Sequence, residues 1–246
     1  MKRSTAKEQL GDTALVLVAA GNSTRMELGK GERKPFVDLD GMTVLERAAE
    51  AFAALPRVAE IIVVAQKQDH KRVRALAAAG GPLARLTKIV AGGAERADSV
   101  RAGVEATNPA LSLIAVHDAA RPLIDVATVV AALATATARG GALVATRVHD
   151  TIKHSADGLA ADATLDRSEL WAAQTPQVFR RNDLLDWFAR ASADTFSPTD
   201  DAALCERYRG PVPLVEGPHT NFKLTTLADL DLARAIVARR ARGTET

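Results

Sequence analysis

Four groups of residues carry functional groups at spacings suited to handling anions. Ala19-Ala-Gly-Asn-Ser-Thr-Arg-Met26 follows an apolar run and is itself followed by Lys34-Pro35. Small residues and one glycine let backbone N–H groups approach an anion closely, and Arg25 and Lys34 add charge to such a cradle. The run is not a P-loop, because GxxxxGK is absent, and not GxGxxG, because Gly21 stands alone. The second group is Ala91-Gly-Gly-Ala-Glu-Arg-Ala-Asp-Ser-Val100. A glycine turn just before a helix offers backbone donors, with the Ser99 hydroxyl, to a polar ligand. The third is Val116-His-Asp-Ala-Ala-Arg-Pro122, in which Asp118 is a natural ligand for a hard cation and Arg121 can grip an anion. His117 more simply orders this loop, since no second His or Cys stands at ligand spacing. The fourth group is scattered: Asp150-Thr-Ile-Lys153, Leu165-Asp-Arg167, Gln174-Thr-Pro-Gln177, Thr199-Asp200 and Asn221-Phe-Lys-Leu-Thr225. Taken singly, each has an ordinary reading as a turn, a helix cap or a solvated side chain.

The elements that position these residues follow from the apolar pattern. Ala14–Ala19, Glu60–Ala65, Thr87–Ala91, Ser112–Val116 and Ala142–Ala145 are short, largely apolar runs. Strands apolar on both faces belong in a sheet covered by helices. Between them lie helix-period segments over Val44–Leu55, Asp69–Ala79, Ala97–Ala106 and Val126–Ala138. The alternation predicts an α/β fold with a parallel sheet and right-handed crossovers. The polar stretch 147–170, with Asp157-Gly158, breaks the pattern and reads as an arm or hairpin standing off the sheet. Helices return at Asn182–Ala193 and Asp200–Tyr208. A strand over Val212–Val215 and a helix over Thr226–Arg240 close the chain. Three parts follow: a tail over 1–12, one domain over 13–240 that includes the arm, and a tail over 241–246.

Composition removes several functional classes. The 246 residues are 47% hydrophobic and 25% charged, which is ordinary for a globular chain. The net charge of +2 gives no basic surplus for nucleic acid. No apolar run is long enough to span a membrane. Cys205 is the single cysteine, which removes an intramolecular disulfide and a cysteine-rich zinc site. Met1 to Asp12 lacks the apolar core of a signal peptide, so a reducing cytoplasmic location is the expectation. Aromatic residues are few, so an aliphatic core is expected.

Together the motifs identify a family. AAGxxxRM with its following Lys, GGxxRxxSV, VHDAARP, DTIK, DR, QTPQVF, TDD and NFKLTT stand in this order from about Thr13 to Ile236. The chain resembles the 2-C-methyl-D-erythritol 4-phosphate cytidylyltransferases of the non-mevalonate isoprenoid pathway. The resemblance implies a Rossmann-like nucleotidyltransferase fold with a protruding β-arm used in a homodimer. It implies the reaction of CTP with methylerythritol 4-phosphate, assisted by Mg²⁺. By position, Ala19, Ala20, Gly21, Arg25 and Lys34 would hold the CTP phosphates. Gly93, Ala94 and Ser99 would contact the cytosine, Ala119 would lie near the ribose, and Asp118 would help hold Mg²⁺. Arg25, Lys34 and Lys223 would act on the transition state. Thr151, Arg167, Thr175, Thr199, Arg121 and Lys223 would line the sugar-phosphate site, part of it from a partner's arm.

Two departures from the family pattern stand out. Arg25 and Lys34 are more widely spaced than usual, with Gly29, Lys30 and Gly31 between them, so Lys30 or Arg33 competes with Lys34. Ala94 stands where an Asp is common, a contact the backbone can still make. Two other readings are a ribitol 5-phosphate cytidylyltransferase and a non-catalytic nucleotide-binding domain. The chain ends soon after its last helix, so no fused cyclase of the same pathway is expected.

Overall fold

The computed structural model describes residues 13–21, 26 and 32–243. Three neighbouring strands of a seven-stranded sheet run parallel: β1 (Thr13–Val18), β2 (Val58–Ala65) and β4 (Leu113–Asp118). β4 is buried along its whole length, and β1 almost so, as expected for strands covered on both faces. The sheet order is β3-β2-β1-β4-β8-β5-β9, with β3 (Leu86–Ala91) at one edge and β9 (Leu214–Glu216) at the other. β3 is only half-buried, as an edge strand should be. β5 (Gly141–Arg147) is antiparallel to β8 (Trp171–Arg180), and β8 is antiparallel to β4. Every strand of this sheet except β8 therefore runs in one direction.

β8 is the main element that periodicity does not reveal. It contains the polar run Gln174-Thr-Pro-Gln177, and a proline ordinarily argues against a central strand. The buried polar side chains are tolerated because each finds a partner. Gln177 Oε1 accepts from the Ala202 N–H at 2.7 Å, and its Nε2 donates to Asp200 Oδ2 at 2.8 Å. Gln174 Oε1 accepts from Asn221 Nδ2 at 2.8 Å. A satisfied buried amide costs little, whereas an orphaned one costs about 1–3 kcal/mol.

Helices α1 (Val44–Ala53), α2 (His70–Ala78) and α4 (Val126–Arg139) cover one face. α3 (Arg96–Ala106), α5 (Arg181–Ala193) and α6 (Asp201–Tyr208) cover the other. α7 (Leu227–Ala241) packs over Leu39, Val44 and Leu123 as a third cluster. All seven lie within a residue or two of their sequence-based expectations, and several of their starts are chemically marked, those of α2 and α5 excepted. Thr43 with Glu46, and Thr226 with Asp229, form capping boxes, and Asp125 caps α4. α3 sits unusually close to the sheet. A Cβ at Gly103 would stand 2.4 Å from Val16 Cγ1 and 2.8 Å from Val64 Cγ2. Glycine there lets the helix backbone lie on the strands. The core is mostly aliphatic, as composition implies, but Phe52 and Phe179 are among its largest fully buried side chains.

The stretch 147–170 contributes a separate two-stranded antiparallel sheet, β6 (Lys153–His154) paired with β7 (Ala163–Thr164). Residues 153–169 are all exposed. At its tip, Asp157 Oδ1 accepts from the N–H groups of Leu159 and Ala160, at 2.8 and 3.2 Å.

Candidate active site

A cavity of about 650 Å³ opens beyond the carboxyl ends of β1, β3 and β4. Ligands of open α/β sheets bind at such a place, where strand order reverses. Ten of the residues singled out from sequence line it: Ala19, Ala20, Gly21, Lys34, Gly93, Ala94, Ser99, Asp118, Ala119 and Lys223. The loops after β1 and β3 touch each other through glycine. A Cβ at Gly92 would fall 2.3 Å from Ala20 Cβ, and one at Gly93 would fall 2.3 Å from Asp98 Cβ. Ser99 does not present a free hydroxyl. Its Oγ accepts from the Gly93 N–H at 3.0 Å and donates to Glu95 O at 3.1 Å, so it shapes the turn. Glu95 is the N-cap of α3, in a capping box with Asp98.

Asp118 is the electrostatic centre of the cavity. It caps no helix, since α4 begins at Val126. Oδ1 faces Arg96, with Nε and NH2 both at 3.2 Å, and Oδ2 accepts from Lys223 Nζ at 2.7 Å. Burial opposes ionisation of Asp118, but Arg96, Lys223 and Arg121 outweigh it and hold the carboxyl well below the usual range. Arg96 is in turn gripped from behind. It makes a two-pronged contact with Asp201, NH1 to Oδ1 at 3.2 Å and NH2 to Oδ2 at 3.0 Å. Asp201 is buried at the start of α6. The two cations differ in freedom. Arg96 has two carboxylates around it, whereas the Lys223 side chain is 43% exposed.

Sequence reasoning passed over Arg96 and Asp201. Arg96 lies inside the glycine-turn motif, where an Arg between two acids resembles helix-end chemistry. Asp201 lies next to Asp200, which is the α6 cap. Nothing local marks which aspartate turns inward. Gln66 and Lys67 also line the cavity, and Gln66 Nε2 donates to Ala20 O at 3.1 Å.

Arg33 and Lys34 stand in different surroundings. Arg33 NH1 pairs with Asp69 Oδ2 at 3.1 Å and donates to Gln66 Oε1. Lys34 lines the cavity and donates to Leu224 O at 2.7 Å, beside Lys223. Arg25 and the Gly29–Gly31 insertion, with Lys30, lie outside the described residues. Arg121 is built into the framework, donating to Asn221 O at 2.8 Å and Ala173 O at 3.2 Å. Thr151, Arg167 and Thr199 are exposed and are not among the residues lining the cavity. Arg167 NH1 instead donates to His149 O at 2.7 Å.

Thr175 is buried behind Asp118 and makes a hydrogen-bonded chain whose direction can be deduced. His117 Nε2 faces the Arg121 carbonyl at 3.0 Å, and a carbonyl can only accept, so the proton is on Nε2. His117 Nδ1 is then an acceptor, and Thr175 Oγ1 donates to it at 2.9 Å. The Thr175 oxygen accepts from the Asp118 N–H at 3.0 Å. The chain fixes the Asp118 backbone and requires His117 to stay neutral. His117 thus orders the loop, as its isolation in the sequence implies.

Burial lowers the His117 pKa from 6.5 to about 4, against the pull of its hydrogen bond to Arg121 O. Between those values the unfolded chain binds the proton and the folded chain does not. Folding stability therefore rises with pH across this window and is lost as pH falls from 6.5 towards 4. The loss should be on the order of 3 kcal/mol. Urea unfolding of wild type and His117→Gln through that range should show a shallower slope for the variant. Identical slopes would mean that His117 does not resist protonation.

The donor set around Asp118 bears on metal binding. Among the described residues no three His, Cys, Asp or Glu side chains come together as a cage. Of the two acidic residues lining the cavity, Glu95 is engaged in the α3 capping box, and Asp118 suits an ion that takes its other ligands from phosphate oxygens and water, which is the habit of Mg²⁺.

Comparison with known proteins agrees with this geometry. The family model for 2-C-methyl-D-erythritol 4-phosphate cytidylyltransferase matches residues 13–239. The protein of that name from Symbiobacterium thermophilum is 42% identical over 229 residues, 93% of this chain and 94% of its own. The one from Solibacter usitatus is 38% identical over 93% of this chain and 96% of its own. Among solved structures, the Thermus thermophilus enzyme of that name superposes with a TM-score of 0.72 at 32% identity, covering 91% of this chain and 98% of its own. The 4-diphosphocytidyl-2C-methyl-D-erythritol synthase of Anaerococcus prevotii gives a TM-score of 0.81 at 26% identity, covering 96% of this chain and all of its own. With the Asp118 cavity at the switch point of the sheet and a match running nearly end to end, the chain belongs to the 2-C-methyl-D-erythritol 4-phosphate cytidylyltransferase family.

Proposed function

We propose that the cavity binds CTP and that the chain transfers its cytidylyl group to 2-C-methyl-D-erythritol 4-phosphate, releasing pyrophosphate. The observation that carries this reading is the convergence of Lys34 and Lys223 on a glycine-walled cavity that holds Asp118. The glycines keep the cavity wall free of side chains where a polyphosphate would lie, and the lysines supply charge where it accumulates. A phosphate oxygen of the sugar alcohol attacks the α-phosphorus of CTP. A new P–O bond forms there as the bond to the β-phosphate oxygen breaks, and the electron pair leaves with pyrophosphate. The nucleophile is already an anion, so no general base is required. The protein's task is to bring two polyanions together and to offset charge at the crowded phosphorus.

Lys34, with Arg25 by resemblance, would hold the triphosphate. Lys223 would leave Asp118 and turn to the reacting phosphates. Asp118 would then hold Mg²⁺, which when bound neutralises phosphate charge. Arg96 stays with Asp118 and keeps it ionised. The relatives' names speak for methylerythritol phosphate, and the ribitol alternative has no comparable support.

Pyrophosphate release measured with each of the four nucleoside triphosphates, and with both sugar-alcohol phosphates, tests the reading. CTP with methylerythritol 4-phosphate should be the productive pair. Lys34→Ala should lower kcat by ~10²-fold, the scale of losing one preorganised electrostatic group. Asp118→Asn should raise the Mg²⁺ concentration needed for half-maximal rate. Turnover with no sugar phosphate, or an Asp118→Asn enzyme with wild-type Mg²⁺ dependence, would sink the reading.

The exposed 147–170 segment is proposed as the dimerisation arm that brings Thr151 and Arg167 to a partner's cavity, in a closed two-fold dimer in the cytoplasm. Arg167→Ala and Lys34→Ala proteins, each inactive, can be mixed and allowed to exchange subunits. With shared sites, each mixed dimer has one intact site, and random exchange makes about half the dimers mixed, so roughly a quarter of sites should recover. No recovery after demonstrated exchange would place Arg167 in its own chain's chemistry or outside the chemistry altogether.

A further inference from the structure

β5 and β9 are parallel neighbours, with Ala145 opposite Glu216. Both leave the sheet at the same end, so residues a few positions beyond emerge side by side. Those residues are His149, at the root of the 147–170 segment, and His219, on the loop leading to Lys223. Their Nε2 atoms stand 2.9 Å apart and their ring centroids 4.7 Å apart. The Thr146 hydroxyl lies 3.4 Å from the His219 ring nitrogens. Both rings are exposed, and neither lines the Asp118 cavity.

Nitrogen–metal bonds to imidazole are about 2.0–2.1 Å, so two nitrogens at a right angle on one ion lie about 2.9 Å apart. That is the spacing of adjacent positions in square-planar or octahedral coordination, and a few tenths of an ångström more suits a tetrahedral ion. Imidazole pairs favour nickel, copper and zinc, whereas Mg²⁺ prefers oxygen and keeps its water. No third His, Cys, Asp or Glu completes a cage here among the described residues, so an ion held here would take its remaining ligands from water.

We propose that His149 and His219 form a two-imidazole chelating site for a divalent transition-metal ion, separate from the Asp118 cavity. The sequence hides this pair, because its members are brought together only by the parallel register of β5 and β9. An ion bound there ties the root of the exposed segment to the loop that ends in Lys223. Arg167, which donates to the His149 carbonyl at 2.7 Å, is held by the same tie. The site therefore links the segment proposed as the arm to a residue of the cavity without touching substrate.

The test uses the untagged full chain, stripped with EDTA and titrated with Ni²⁺ against a chromophoric chelator. Wild type should take one Ni²⁺ per chain, undiminished by excess Mg²⁺. His149→Asn and His219→Asn should each weaken binding by ~10-fold or more, at least the loss seen when a supporting partner of a metal ligand is removed. His154→Asn is the control, since His154 instead contacts Asp162 at 2.6 Å. It should bind as wild type does. With Cu²⁺ in place of Ni²⁺, electron paramagnetic resonance should show coupling to two imidazole nitrogens in wild type and to one in each single variant. Circular dichroism checks that the variants are folded, which the exposure of both rings leads us to expect. Failure of wild type to bind Ni²⁺, unchanged affinity in both ring variants, or loss of binding in His154→Asn would overturn the proposal.

Discussion

The site depends on keeping a carboxylate charged at the floor of a cavity that must also hold polyanions. A buried carboxylate beside phosphate would ordinarily take up a proton, because burial and like charge both disfavour ionisation. Arg96 prevents this at Asp118, and it can do so because Asp201 fixes it from the far side. Arginine is suited to the task, since its planar fork meets two carboxylates at once and never gives up its proton. The arrangement also sets a hierarchy. Arg96 is held between two carboxylates, while Lys223, on one of the same carboxylates, is 43% exposed to solvent. Removing Arg96 would leave Asp201 buried without its cation, at a cost of about 3–5 kcal/mol.

Everything else in the fold serves to bring that carboxylate to the cavity floor. β4 carries Asp118 out of the sheet beside β1, with Val18 opposite Asp118 in parallel register. The Thr175–His117 chain, reaching across from β8, pins the Asp118 backbone from below. Gly92 and Gly93 let the loops after β1 and β3 close over the same end of the sheet. A parallel sheet lines up strand ends, and a glycine at each crowded contact lets backbone rather than side chains form the walls.

Much of this was legible in the sequence because it is written locally. The apolar runs of β1, β2 and β4 and the helix-period segments depend on neighbouring residues, and so do the glycine turns before α3. What escaped was set by partners far along the chain. β8 reads as polar and proline-interrupted until Asp200, Ala202 and Asn221 arrive to satisfy Gln174 and Gln177. Arg96 meets Asp201 from a helix 105 residues away. Ser99 looked like a ligand donor and is instead spent on its own loop, because a buried hydroxyl takes the nearest backbone partners. Asp118 and Lys223, which the family resemblance singles out, both line the cavity, but the resemblance does not reveal that they hold each other.

If Asp118 works through Arg96, then Asp201, which does not line the cavity, belongs to the same unit. A double-mutant cycle on kcat/KM with Asp118→Asn, Asp201→Asn and the combined variant, at fixed Mg²⁺, tests it most directly. If the three side chains act as one, the losses should not add, and the coupling should be about 1 kcal/mol or more. Additive losses, or an Asp201→Asn enzyme indistinguishable from wild type, would contradict the account.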